Sequence, residues 1–171
     1  MKTYHNNRKY NTGYYELKNP NKYLGTDKPY YKSGFEYRMM YWCDLNINVI
    51  EWNYEPFPID YIFQVPATAP KWMKELVDFK KHRYYMDFYA KIREDNGNVQ
   101  RYMLEIKPDV QTSQPVEPKK KTKKAVANFM LNMKEYIKNC NKWTAAEQFC
   151  NQKGYIFKVL TENNLYTWGN I

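Results

Sequence analysis

The sequence predicts an α/β fold: a mixed parallel and antiparallel sheet with elements in the order α-β-β-β-α-α-β. Three observations carry that expectation. A capped helical stripe opens at Ser33, two alternating strands flank Asp95-Asn96-Gly97, and helical periodicity after Lys121 gives way to an apolar strand at Tyr155. With 171 residues the chain has the length of one domain. A domain of that size buries roughly 70% of its unfolded surface and needs no disulfide staples.

Residues 1–32 are rich in Asn, Tyr, Lys and Gly with little periodicity, and read as an irregular N-terminal arm. The single folded domain is expected over 33–171. Ser33 followed by Glu36 has capping-box spacing, and Phe35, Met39, Trp42 and Cys43 recur at helical spacing, so a helix of about a dozen residues ends near Asn46. Val49 to Tyr54 reads as a strand stopped by Pro56 and Pro58. Pro66 and Pro70 make Ile59 to Phe79 a loop with a short helical turn near Trp72.

Alternation over 82–92 puts Tyr84, Met86, Phe88, Ala90 and Ile92 on one face, with Arg83, Tyr85, Asp87, Tyr89 and Lys91 on a more polar one. A second strand over 98–107 places Tyr102, Leu104 and Ile106 together, opposite Arg101, Met103, Glu105 and Lys107. A two-residue turn at Asn96-Gly97 would pair positions whose numbers sum to 193 and mix the faces. A three-residue loop with Gly97 left-handed pairs numbers summing to 192 and aligns both apolar faces. That register sets Asp87 opposite Glu105. After Pro108, Pro115 and Pro118, one helix is expected from Lys121 to Asn139 and another from Trp143 to Lys153. Gly154 is a C-cap, and a last strand runs over Tyr155–Leu160.

The chain carries 27 Lys and Arg against 18 Asp and Glu, a net charge of +9. Ten Lys and two acids between Lys119 and Leu160 account for +8 of it; the rest balances at 17 basic against 16 acidic groups. The run Lys119, Lys120, Lys121, Lys123 and Lys124 suits a phosphate backbone through counterion release, or else is a solvated helix start. The absence of a long apolar run or an apolar leader favours an intracellular protein without a membrane span. Three cysteines without C-x-x-C argue against a disulfide framework and a zinc cluster, and no glycine-rich phosphate loop supports a nucleotide cofactor. Cys43, Cys140 and Cys150 read as packing residues, His82 as a surface residue, and His5 lies in the arm.

Two carboxylates facing each other across a hairpin repel unless something neutralises them. A hard divalent cation does so with oxygen ligands, beside phosphate groups. Lys107 shares the face of Glu105 and could hold a water or developing charge at phosphorus. Glu36 sits one position off the apolar stripe of the first helix, where it could supply a third acid. The ordinary alternative is a cross-strand pair such as Asp87 with Lys107 or Glu105 with Arg83.

Glu36 on a first helix, Tyr85-Met86-Asp87-Phe88, and Glu105-Ile106-Lys107 after a turn resemble the PD-(D/E)xK nuclease superfamily, although Met86 stands where that motif has Pro. Over nearly the whole chain from residue 20, the sequence is similar to the head-completion nucleases of T4-like bacteriophages. The resemblance rests on Lys22-Tyr23-Leu24-Gly25, Tyr31 to Trp42, Val49 to Trp52 and Lys81 to Tyr84 with Asp87-Phe88. It continues in Glu105-Ile106-Lys107-Pro108 with Gln111, Pro118 to Thr122, and Lys142-Trp143 with Ala145-Ala146-Glu147. Transposon end-cleaving nucleases share the Glu-x-Lys-Pro and following Gln pattern.

The resemblance implies a restriction-endonuclease-like α-β-β-β-α-β core with an extra C-terminal helix, and a nuclease domain over 33–171. It implies a Mg²⁺-dependent DNA endonuclease, with Mn²⁺ as a substitute, acting late in phage head completion around DNA packaging. Asp87, Glu105 and Glu36 would then hold the metal. Lys107 would act on the attacking water or the transition state, Gln111 would support the site, and the lysine run would bind DNA. Portal or head–neck proteins would be partners, in the host cytoplasm or carried into the virion. A head-closure protein that grips DNA or the portal without catalysis is the rival reading.

Overall fold

A computed structural model of the chain describes residues 12–164. His5, the start of the expected arm and the end of the expected domain lie outside those residues. Within the arm, β1 (Gly13–Tyr14) pairs antiparallel with β2 (Tyr30–Tyr31). The segment between them is tied to the body by the Leu24 N–H on the Trp52 carbonyl, by Lys22 on the Asn46 carbonyl, and by the fully buried Asp44. Its carboxylate accepts the Tyr15 hydroxyl at 3.0 Å, the Lys18 N–H at 2.7 Å and the Asn19 N–H at 2.8 Å.

Asp44 lies near the end of α1 (Gly34–Leu45), which starts where its capping spacing requires. The Ser33 hydroxyl accepts the Glu36 N–H at 3.1 Å, and the Glu36 carboxylate reaches back to the Lys32 N–H at 2.7 Å. Next come β3 (Val49–Tyr54) and a strand absent from the sequence expectation, β4 (Pro58–Ile62). Pro58 opens that strand, a position where its missing N–H costs nothing. A short α2 (Lys71–Lys74) follows where the helical turn near Trp72 is expected.

The alternating run over 82–92 is not one strand. It divides into β5 (Lys81–Tyr85), which pairs with β4 in a two-stranded sheet, and β6 (Phe88–Arg93), which joins the main sheet. Met86 and Phe88 share a parity, yet Met86 packs with Ile59 and Tyr84 while Phe88 packs with Met39 and Trp52. The chain changes sheets at Met86-Asp87, which strict alternation does not reveal.

The hairpin of β6 with β7 (Val99–Ile106) has the expected register, from Phe88↔Leu104 to Arg93↔Val99, each pair summing to 192. Gly97 has φ 83°, the left-handed conformation the three-residue loop demands. The two expected C-terminal helices are one, α3 (Lys123–Lys153), capped by Thr122 and ended by Gly154 at φ 67°. No Pro or Gly interrupts Cys140-Asn141-Lys142, so the 31-residue helix runs through the proposed break. It returns the chain to β8 (Ile156–Leu160), which lies parallel to β7.

The main sheet, ordered β3-β6-β7-β8, is therefore mixed as expected. It is covered on both faces. Phe88, Ala90, Ile92, Tyr102, Leu104 and Ile106 pack against α1 and the arm; Tyr89 and Met103 pack against α3. On the odd-numbered face, expected to be the more polar, Tyr89, Met103 and Glu105 are buried while Arg93 and Arg101 stay exposed. Among the described residues no helix is long and apolar enough to cross a membrane.

Candidate active site

The hairpin ladder ends at the pair Phe88↔Leu104, so Asp87 lies just before it and Glu105 just after. The next rung is replaced by a side chain: Asp87 Oδ2 accepts the Ile106 N–H at 2.7 Å. The Asp87 carbonyl accepts the Glu55 N–H at 2.9 Å. Glu55 itself holds φ 46°, a left-handed strain that a non-glycine residue keeps only where its surroundings impose it. Glu105 is 1% exposed. Its Oε2 accepts the Tyr84 hydroxyl at 2.6 Å and its Oε1 pairs with Lys107 Nζ at 2.7 Å.

The electrostatics are those of a site short of positive charge. Burial, followed by the neighbouring Glu105 charge, pushes the Asp87 carboxyl up to about 8, and the Glu36 charge adds to the rise. Lys107 and the Ile106 N–H act the other way without offsetting it. Burial pulls the Lys107 ammonium down, but Glu105 and Asp87 outweigh it and the net shift is upward. One lysine is thus shared by two acids, and Asp87 Oδ1 accepts no hydrogen bond among the described residues. Hard oxygens with spare lone pairs, destabilised as anions, are a donor set that fits a divalent cation.

Glu36 is near enough for its charge to act on both Asp87 and Lys107, but its Oε2 is held by the Tyr54 hydroxyl at 2.8 Å and by the Lys32 N–H. Among the described residues no three His, Cys, Asp or Glu side chains converge as a metal-holding group. The three-acid set expected from sequence is therefore an assembled pair with the third carboxylate held alongside.

Gln111 lies in a single turn over Asp109–Gln111 and lines a cavity of about 610 Å³ with Asn128, Asn132, Tyr136 and Asn139 of α3. None of Glu36, Asp87, Glu105 or Lys107 lines that cavity. Lys119, Lys120, Lys121, Lys123 and Lys124 are exposed around the start of α3, and Lys121 pairs with Glu117 at 2.9 Å. His82 pairs with Asp78 at the surface, and Cys43 and Cys150 are buried. Arg83 sits opposite Asp60 in the smaller sheet, so it is not the partner of Glu105.

Sequence reasoning missed the two tyrosines that fix the acids, Tyr84 on Glu105 and Tyr54 on Glu36. Tyr84 follows the alternating pattern of a core residue, and a core tyrosine needs a partner for its hydroxyl; that was the available signal.

Residues 46–162 match the family of the TnsA-like endonuclease N-terminal domain. The stretch contains Asp87, Glu105, Lys107, Gln111 and the lysine run; Glu36 lies upstream of it. The chain is also 31% identical over 159 residues to the head completion nuclease of Enterobacteria phage T4, covering 92% of this chain and 95% of that protein.

Proposed function

The chain belongs to the TnsA-like endonuclease family, and we propose that it hydrolyses DNA phosphodiesters with a divalent cation at the Asp87–Glu105–Lys107 end of its hairpin. The observation that carries this reading is the buried Glu105 divided between Tyr84 and Lys107, beside an Asp87 whose anion is poorly compensated. Asp87 and Glu105 hold the cation and Glu36 supports it; Mg²⁺ is the expected ion and Mn²⁺ its substitute. Bound there, the ion supplies Lewis-acid charge and a more acidic water.

The chain's own residues then divide the remaining work. Tyr84 fixes the Glu105 carboxylate. Glu105 in turn holds the Lys107 ammonium, which donates to the attacking water or to the phosphate oxygen that gains charge. Gln111 helps to position this region, and the lysine run at the start of α3 holds the DNA backbone. By analogy with its phage T4 relative, the protein acts in phage head completion, around DNA packaging in the host cytoplasm, with portal or head–neck proteins as partners. Residues 12–32 serve as an arm on a single nuclease domain.

The test is cleavage of plasmid, branched and flapped DNA with Mg²⁺ or Mn²⁺ against EDTA. Cleavage that needs the cation, and that falls at least about 100-fold in Lys107→Ala, supports the mechanism. Undiminished cleavage by Lys107→Ala removes it. A folded wild-type protein that binds DNA but cuts none of these substrates favours the non-catalytic head-closure reading.

A further inference from the structure

Lys142 is a half-buried lysine near the middle of α3. It lies three residues after Asn139, four before Ala146 and eight before Cys150, all of them buried, so it occupies the sheet-facing stripe of the helix. Its Nζ stands 5.1 Å from the centroid of the Tyr84 ring, the same ring whose hydroxyl is bound to Glu105 Oε2. Among the described residues it forms no ion pair, whereas Lys107 is committed to Glu105 and Lys138 to Glu135. Burial draws its ammonium down; the Lys107 and Lys138 charges add to this, and the attraction of Glu105 and Asp87 does not compensate.

This half-buried ammonium has the Tyr84 ring beneath it and the attraction of Glu105 and Asp87 near it, but no ion-pair partner among the described residues. The missing partner is an anion, and the substrate of this site brings one.

We propose that Lys142 is a second lysine of the active site, whose ammonium donates to a non-bridging oxygen of the scissile phosphate. It complements Lys107, which Glu105 already holds, and its placement depends on α3 being continuous. This inference rests on the cleavage site being the one proposed above.

The experiment uses the full chain, a duplex that wild type cuts, and the variants Lys142→Met and Lys142→Arg. Methionine keeps the aliphatic stem against Tyr84 and removes the charge; arginine restores a charge there. Single-turnover rate at saturating DNA and Kd for the duplex in EDTA are read together, with thermal unfolding to certify the fold. The expected result is a rate loss of about 100-fold in Lys142→Met, a Kd within about 3-fold of wild type, and recovery of most of the rate in Lys142→Arg. A wild-type rate in folded Lys142→Met overturns the proposal. So does a loss confined to Kd. If wild type cuts and Lys107→Ala does not, a fully active Lys142→Met refutes this inference alone. If wild type cuts nothing, the proposed function fails and this inference fails with it.

Discussion

Among the described residues two carboxylates are almost wholly buried, Asp44 at 0% and Glu105 at 1% exposure, and their surroundings are opposite in kind. Asp44 has three donors. Two backbone N–H groups and the Tyr15 hydroxyl bond its two oxygens, and all three come from the arm segment it helps to anchor. Glu105 has a hydroxyl and a lysine, but it stands beside Asp87, whose charge is raised in cost by burial and by Glu105 itself. The contrast separates a latch from a site. A carboxylate met by three donors from one segment of its own chain holds structure, whereas acids crowded together with fewer donors each are poised for something the chain does not contain.

That comparison can be broken most sharply at Asp44. Asp44→Ala leaves three donors without their acceptor and is expected to cost about 3 kcal/mol or more by urea denaturation. The cleavage rate per folded molecule should stay within a few-fold of wild type. A stability loss below about 1 kcal/mol would end the latch reading. At the site the sign reverses. The folded Asp87 carboxyl is raised from 3.8 to about 8, so between those values the folded state holds a proton that the unfolded state lacks. Without metal, stability therefore falls as pH rises through that window. Asp87→Asn removes the titrating group while its amide oxygen still accepts the Ile106 N–H. It is expected to be more stable than wild type at pH 8, with little gain near pH 4, and inactive. Equal pH profiles for the two proteins would contradict the origin of the shift.

The smallest effect on stability is expected at the exposed lysine run. Changing Lys119, Lys120, Lys121, Lys123 and Lys124 to Gln should move stability by no more than about 0.5 kcal/mol, because surface charges and the Lys121–Glu117 pair contribute little. DNA affinity should fall, and the slope of log K against log salt should flatten by about 2 or more. An unchanged slope would make the run a solvated helix start.

Local chemistry made part of this architecture legible. Ser33 and Glu36 announced α1, and Asp95-Asn96-Gly97 fixed the hairpin register that brings Asp87 and Glu105 to one end of the ladder. Both signals act within a few residues. The change of sheet at Met86-Asp87 was hidden because alternation continues across it even though the two sides bury their residues in different clusters. Lys142 was hidden by the break placed between Asn139 and Trp143; on one continuous helix it falls on the buried stripe. The arm's attachment was out of reach for another reason. It depends on contacts such as Asp44 with Tyr15, Lys18 and Asn19, 25 to 29 residues away, and no periodicity records such a meeting.

The most direct test of the contrast between latch and site is calorimetric titration of the folded, metal-free protein with Mg²⁺ and Mn²⁺ in buffers of different ionisation enthalpy. The account predicts binding that releases protons near pH 7, as Asp87 gives up its proton to become a ligand. Asp87→Asn should lose both the binding and the proton release, while a folded Asp44→Asn should keep both. Binding that persists unchanged in Asp87→Asn, or no binding by wild type at millimolar cation, would contradict it.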